Sequence, residues 1–194
     1  MNYLAHAYLS FNHTEILLGN MGSDFIKGKK QYDYPEGIQK GISLHREIDN
    51  YTDTHEATRE ARQYFKESVG LYAGAFVDVV YDHFLAIDTS EFENKEMLKA
   101  FAQNTYATLR QHIHLLPQPF QQMFPYMQQH DWLYNYQFRQ GIERSFAGLV
   151  RRASYLSSHE LAFRAFEDNY ASLQNCYMHF FPSVKKMAQL LIEK

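Results

Sequence analysis

The chain has 194 residues, of which 45% are hydrophobic, so it is long enough to bury one sizeable core. Its formal net charge is −3, which argues against a nucleic-acid-binding protein, because such proteins carry a strongly basic surface. The single cysteine, Cys176, excludes an intrachain disulfide and favours a reducing compartment.

Helical hydrophobic periodicity runs through nearly the whole chain, and no segment shows the alternation that is typical of a strand. The prediction is an all-α fold in which residues 1–194 form a single compact multi-helix domain. The sequences LLPQPF and FFPSV are predicted breaks, because proline removes a backbone donor and disfavours helix in the preceding residue. We place helices near residues 2–10, 14–27, 36–50, 54–68, 70–87, 90–115, 118–129, 138–155, 158–179 and 183–193.

The first residues of the sequence and its most apolar run do not indicate membrane targeting. The first residues, MNYLAHAYLS, lack the basic and apolar regions of a signal peptide. The most apolar run, LYAGAFVDVVYDHFLAI, is short for a membrane span and carries Asp78, Asp82 and His83. We therefore expect a cytoplasmic protein with no membrane partner and no nucleic-acid partner.

Acids and imidazoles interrupt the apolar faces of four predicted helices. The first helix places His6 among apolar neighbours, and the second places Asp24 on the stripe of Leu17 and Met21. In the helix predicted over 36–50, the apolar stripe reads Ile38, Ile42, His45 and Asp49. In the helix predicted over 70–87, it reads Leu71, Ala75, Asp78, Asp82 and Leu85, and His83 lies about 100° further round the same helix.

Several buried carboxylates in one core require a strong positive centre. Burying an unpaired carboxylate costs several kcal/mol, so such a group is neutralised, paired or bound to a metal ion. The i, i+4 pairs His45/Asp49 and Asp78/Asp82 place two side chains on one side of a helix, and His with Asp is a normal ligand set for Mn, Fe or Zn. The alternatives are a hydrogen-bonded core histidine at His6 and arginine partners for one or two of the acids.

The same segments resemble a known family. NYLAHAYLS, GNMGSDFIKG, LHREIDNYTD, REAR, VVYDHFLA and FFPSVKKMA are similar to segments of the acyl carrier protein phosphodiesterases, with a looser match over 90–155. The resemblance implies an all-helical fold that is distantly related to the HD-superfamily metal phosphohydrolases. It also implies a divalent cation, typically Mn²⁺ with Mg²⁺ or Fe²⁺ as alternatives, and hydrolysis of the phosphodiester that joins 4'-phosphopantetheine to a serine of holo acyl carrier protein.

The resemblance also implies roles for individual residues. His83 is the expected proton donor to the leaving alkoxide, and Arg46 is the expected phosphate clamp, with an ion pair to Asp49 or Glu47 as its alternative role. The sequence does not separate ligands that touch the metal ion from carboxylates that stand behind them. The expected metal ligands are His6, Asp24, His45, Asp49, Asp78 and Asp82.

An acidic carrier protein would require a locally basic docking face. Each candidate cation could equally be part of an ordinary solvated surface. The candidates are Lys27 with Lys29 and Lys30, Arg59 with Arg62, Arg151 with Arg152, and Lys185 with Lys186.

Two other functions remain open from the sequence. The first is a metal phosphohydrolase that acts on a nucleotide or another small phosphoester. The second is a non-enzymatic helical binding module whose buried acids pair with Arg46, Arg59 and Arg62.

Overall fold

Twelve helices account for most of the computed structural model, which describes residues 1–193, and these residues contain no β-strand. The all-α prediction is confirmed. Short 3₁₀ turns cover Ser23–Phe25, Gly28–Asp33, Gly70–Tyr72 and Ile113–Leu115. The helices are α1 (Tyr3–Tyr8), α2 (Thr14–Gly22), α3 (Glu36–Thr54), α4 (Glu56–Gln63), α5 (Lys66–Val69), α6 (Ala73–Ile87), α7 (Lys95–Gln111), α8 (Gln118–Gln129), α9 (Trp132–Asn135), α10 (Arg139–Arg152), α11 (Glu160–Asp168) and α12 (Tyr170–Ile192).

The C-terminal boundaries differ most from the prediction. The break predicted at FFPSV is wrong, because α12 continues through Pro182. Pro182 is exposed, whereas Phe180 and Phe181, which directly precede it, are buried, so their packing offsets the hydrogen bond that proline removes. The chain breaks instead at Asn169, between α11 and α12, where the sequence contains neither proline nor glycine.

Other boundaries also differ from the prediction. The helix predicted over 14–27 ends at Gly22, and the one predicted over 90–115 covers only Lys95–Gln111. Helix α3 runs four residues past the predicted end, to Thr54, and the helix predicted over 54–68 is divided into α4 and α5. The helix predicted from residue 70 begins at Ala73, after a 3₁₀ turn in which Leu71 is fully exposed. Leu71 therefore does not belong to the buried stripe, although Asp82 and Leu85 do.

Helix α6 lies at the centre of the fold and contacts α1, α4, α10 and α12. Its aromatic side chains fill the core, as the ring centroids of Phe76 and Phe146 lie 4.7 Å apart and those of Tyr81 and Phe180 lie 5.0 Å apart. The stretch Lys66–Ile87 is apolar and long enough to cross a membrane, but 61% of its most apolar window is buried inside the fold. That burial is what a core helix of a globular fold shows.

Helices α2 and α3 pack with their backbones in contact. A Cβ atom added to Gly19 would lie 2.1 Å from the carbonyl oxygen of Ile38, and one added to Gly41 would lie 2.3 Å from the carbonyl oxygen of Ile16. Only glycine permits this approach, because any side chain would drive the two helices apart. The contact matters for the site, since α2 ends beside Asn20 and α3 carries His45 and Asp49.

The substitution Gly41→Ala tests this contact. We expect it to lower the free energy of unfolding by about 1–3 kcal/mol, because the new methyl group overlaps the backbone of α2. Gly148→Ala is the matched control: its added Cβ meets only the Arg151 guanidinium, at 3.8 Å, so the gain in helix propensity should leave stability unchanged or higher. Urea unfolding followed by circular dichroism measures both, and equal stabilities would refute the close contact.

Candidate metal centre

Two imidazoles and a carboxylate from two helices meet at one point. His6 comes from α1, and His45 and Asp49 come from α3. Their nearest donor atoms, the two Nε2 atoms and the Asp49 carboxylate, all lie within 4.8 Å of one another. The Asp49 oxygens lie 3.2 Å from His6 Nε2 and 3.1 Å from His45 Nε2, and the imidazole rings stack with their centroids 4.0 Å apart.

Asp24 completes the cluster from the 3₁₀ turn that follows α2. Its Oδ1 atom lies 3.2 Å from His45 Nε2. The side chain is 61% exposed, whereas the two imidazoles are buried, so Asp24 stands on the solvent side of the centre. The structure thus brings together four of the six predicted metal ligands, and their role as ligands stays a prediction.

Asn20 holds both imidazoles, and the sequence reasoning missed it. Its side-chain Oδ1 lies 2.7 Å from His6 Nδ1, and its backbone carbonyl oxygen lies 2.8 Å from His45 Nδ1. Because both oxygens only accept, each ring carries a proton on Nδ1 and turns Nε2 toward Asp49. The Asn20 amide is itself oriented, since its Nδ2 donates to the His6 carbonyl oxygen and to Ser10 Oγ.

The signal for Asn20 was present in the sequence. Asn20 is a polar residue in the apolar run LLGNMG, one turn before Asp24, and it is fully buried. A polar residue within an apolar helical stretch is the pattern that indicated the acids and imidazoles, and an amide such as Asn20 fits the same pattern.

The electrostatics of the cluster favour one positive charge near Asp49. Burial alone lowers the pKa of His45, but its hydrogen bonds to Asp24 and Asp49 outweigh burial and raise that pKa to about 9. Burial and the neighbouring His45 lower the pKa of His6, so His6 is neutral when His45 is charged. The hydrogen bond from His45 lowers the pKa of Asp24, and the two imidazoles lower that of Asp49 despite its burial.

A divalent cation fits this donor set. His6 Nε2 is buried and makes no hydrogen bond, although it lies 3.2 Å from an Asp49 oxygen. A neutral imidazole whose Nδ1 is fixed by an acceptor, and whose Nε2 faces a carboxylate, is the usual arrangement of a metal-binding histidine.

The arginines that could have neutralised the acids bind elsewhere in residues 1–193. Arg46 donates to Gln31 Oε1 at 2.7 Å and to the Ile26 carbonyl oxygen at 3.4 Å. Arg59 donates to the carbonyl oxygen of Thr54, and Arg62 pairs with Asp53. The alternative of a non-enzymatic binding module required these three arginines to pair with the buried acids. No such pair is present within residues 1–193.

Asp78 and Asp82 lie beside the cluster, but their recorded partners are not its imidazoles. Asp78 Oδ1 lies 2.9 Å from the Met1 amino nitrogen, which is also 3.7 Å from Asp49. The fully buried Asp82 carboxylate accepts hydrogen bonds from the backbone N–H groups of Asn2 (3.2 Å), Leu4 (2.7 Å) and Ala5 (3.3 Å), at the N-terminus of α1. Burial raises the pKa of Asp82 to about 7 against the effect of those donors.

His83 faces a different set of neighbours. Its Nδ1 lies 2.7 Å from the Tyr136 carbonyl oxygen, and its Nε2 lies 2.8 Å from Tyr170 Oη. Burial lowers the pKa of His83 to about 4, so the ring is neutral near pH 7. The proton-donor role of His83 stays a sequence-based prediction.

The predicted docking cations are distributed over several surfaces. Lys27, Arg59, Arg151 and Arg152 are exposed, whereas Arg62 is half-buried in its pair with Asp53. Lys185 pairs with Glu91. Arg151 and Arg152 line a cavity that also contains Tyr3 and Trp132.

The fold and the cluster together define an all-helical protein with a His–His–Asp centre whose donor atoms suit a metal ion. Comparison with known proteins places it further. The chain belongs to the acyl carrier protein phosphodiesterase family, whose model matches residues 1–184.

Curated relatives with that name cover nearly the whole chain. The protein of Serratia proteamaculans is 33% identical, that of Yersinia pestis 32%, and that of Photorhabdus laumondii 30%, each over 97% of this chain and 96–98% of the relative. No solved structure matches the chain. The distant relation to HD-superfamily phosphohydrolases therefore stays a prediction.

The proton on His45 predicts a pH dependence of stability in the metal-free protein. Because the folded-state pKa of about 9 lies above the ordinary value of 6.5, folding binds a proton between these pH values. This stabilisation is complete below about pH 6.5 and is lost as the pH rises through about 9. We expect the free energy of unfolding in EDTA to fall by about 2 kcal/mol over this range. This is less than the full pKa shift would give, because Asp24 and Asp49 are partly exposed and solvent screens their charges.

Urea unfolding at pH 6.5, 8 and 9.5 measures the change. His45→Gln removes this group and should make the fall smaller over the same range. The buried Met1 amino group, whose pKa is raised by the Asp78 and Asp49 carboxylates, still contributes above about pH 8. A wild-type stability that stays level or rises from pH 6.5 to 9.5 would contradict the assignment of the proton to His45.

Proposed function

We propose that this chain hydrolyses the phosphodiester between 4'-phosphopantetheine and the serine of holo acyl carrier protein, releasing apo carrier protein and 4'-phosphopantetheine. The cofactor would be a divalent cation, with Mn²⁺ as the first choice. The observation that carries the proposal is the convergence of His6 Nε2, His45 Nε2 and the Asp49 carboxylate, in a chain whose relatives bear the name acyl carrier protein phosphodiesterase.

His6, His45 and Asp49 would hold the cation, with Asp24 beside them on the open side. A bound divalent cation lowers the pKa of a water molecule and stabilises negative charge on phosphoryl oxygens. Because a ligating imidazole must be neutral, His45 has to release its Nε2 proton when the ion binds. Asn20 keeps the Nδ1 protons of both rings in place, so the two Nε2 atoms stay directed at the same point.

Asp24 and Arg46 are the chain's own groups on the substrate side. The Asp24 carboxylate is exposed and ionised near pH 7, so it can accept a hydrogen bond from the attacking water and orient it. Arg46 directly follows His45 on α3 and is exposed. Its recorded hydrogen-bond partners, Gln31 and Ile26, are neutral, so its charge is available to two phosphate oxygens.

The carrier protein is the proposed macromolecular partner. Its acidic surface would meet the exposed cations of this chain, of which Lys27 lies just past Asp24 in the sequence. Cys176 is free and buried, which agrees with the cytoplasmic location that we propose.

Removing the carboxylates tests the proposed reaction. We expect Asp49→Ala and Asp24→Ala to lower the release of 4'-phosphopantetheine from holo carrier protein more than about 100-fold, because each substitution removes a group from the proposed ion site. Mass spectrometry of the carrier protein after incubation with enzyme and Mn²⁺ measures the loss of the arm.

Glu47→Ala is the matched control, since Glu47 is an exposed acid on the same helix. It should retain wild-type activity. Full activity of both aspartate variants would end the mechanism, and a wild-type enzyme that hydrolyses nucleotides but not holo carrier protein would favour the small-phosphoester alternative.

Asn20 provides a separate test of the metal centre. We expect Asn20→Ala to raise the Mn²⁺ concentration for half-maximal activity by about 10- to 100-fold, because the His6 ring loses the side-chain oxygen that orients it, while the backbone carbonyl oxygen that orients His45 remains. Excess Mn²⁺ should restore much of the activity, unlike in Asp49→Ala. Asn50→Ala, at an exposed position of α3, is the control, and an unchanged Mn²⁺ requirement in Asn20→Ala would refute the orienting role.

A further inference from the structure

A cavity of about 580 Å³ is bordered by the start of α1, and its lining contains none of the residues of the His6/His45/Asp49 centre. This volume is within the usual range of small-molecule sites. Most of its walls are aromatic or aliphatic, and a few polar side chains, among them Asn135 and Ser145, are interspersed. The principal apolar residues that line it are Tyr3, Met123, Tyr126, Trp132, Tyr136 and Leu149.

Tyr3 connects the cavity to the centre. It lies on α1, three residues before His6, and its hydroxyl donates to Met123 Sδ at 3.3 Å while its ring lies 6.0 Å from that of Trp132. Burial and the nearby Asp24 carboxylate raise the pKa of Tyr3 to about 12, and Arg152 acts in the opposite direction. The Tyr3 phenol is therefore close enough to both Asp24 and Arg152 for their charges to influence its pKa.

The α1–α6 contact extends this connection. Asn2 lines the cavity, and its backbone N–H donates to Asp82. Val79 also lines the cavity and directly follows Asp78 on α6. A ligand in the cavity would thus contact Asn2, which is bonded to Asp82, and Val79, which is adjacent in sequence to Asp78.

The charge around the cavity is positive. Arg144, Arg151 and Arg152 line it, and within residues 1–193 none of them forms a recorded ion pair or hydrogen bond with another residue. Three exposed guanidinium groups without acidic partners favour a ligand that carries a phosphate or is attached to an acidic protein.

We propose that this cavity binds the pantetheine arm of the substrate, with the phosphate end of the arm directed at the His6/His45/Asp49 centre. The inference rests on the proposed function for its choice of ligand. The arm matches the cavity in chemistry, because its gem-dimethyl group and methylene chain suit the aromatic walls, and its two amides and hydroxyl suit the scattered polar side chains. The arginines that line the cavity would then attract the phosphate and the acidic carrier protein.

Filling the cavity tests the proposal. Gly148 lines it, and a Cβ added there meets only the Arg151 guanidinium, at 3.8 Å, so Gly148→Leu should add bulk without straining the backbone. The probe is free pantetheine, which lacks the phosphate, titrated into the full chain in EDTA by isothermal calorimetry. We expect Gly148→Leu to weaken binding at least tenfold, and Gln140→Leu, an exposed position of α10 outside the cavity, to bind as the wild type does.

Tyr126→Ala provides a second variant, because Tyr126 lines the cavity but is 61% exposed and its truncation should not unfold the chain. It too should weaken binding. Undetectable binding of pantetheine to the wild type at millimolar concentration, or equal affinities in all folded variants, would overturn the proposal.

Hydrolysis of holo carrier protein is measured in parallel to separate this inference from the proposed function. Release of 4'-phosphopantetheine with an unchanged kcat/KM in Gly148→Leu would leave the function standing and overturn the role of the cavity. Cavity-dependent pantetheine binding without any hydrolysis would have the opposite meaning, supporting the arm site and refuting the reaction.

Discussion

The contact between the backbones of α2 and α3 is the constraint on which the candidate centre depends. Gly19 and Gly41 allow the helices to approach until a methyl group on either would overlap a carbonyl oxygen. At this separation the Asn20 carbonyl oxygen, in the last turn of α2, lies within 2.8 Å of His45 Nδ1. Carbonyl groups in a last helical turn lack full partners within their own helix, so the imidazole satisfies the end of α2 and is oriented by it at the same time.

The charges of the centre explain why a proton and a metal ion would compete for it. Two imidazoles stacked 4.0 Å apart do not both carry a charge in a buried site, and the lowered pKa of His6 leaves the proton on His45. That proton lies between Asp24 and Asp49, at the Nε2 atom that would ligate a cation. Binding an ion therefore exchanges one positive charge for another at the same atom, and the surrounding carboxylates stabilise either one.

Much of the fold could be predicted from the sequence, because hydrophobic periodicity reports directly which helix faces are buried. The same periodicity predicted that His45 and Asp49 share one helix face, and the structure places them 3.1 Å apart, with His45 buried and Asp49 43% exposed. The rule that proline ends a helix was less informative, since α12 continues through Pro182. The break between α11 and α12 lies at Asn169, where the sequence has no proline. In α12, tertiary packing of Phe180 and Phe181 outweighs the local preference.

What periodicity could not provide was the identity of each polar group's partner. Asp82 shows this most clearly, because the reasoning that a buried acid needs a cation considers only charged partners. Its carboxylate accepts from three backbone N–H groups at the start of α1, and a helix N-terminus is itself a site that stabilises negative charge. By fixing the first turn of α1 against α6, Asp82 positions His6 at the centre and Tyr3 at the cavity wall. One buried carboxylate thus anchors the segment of α1 that carries both side chains, and its influence on them runs through the backbone of that helix.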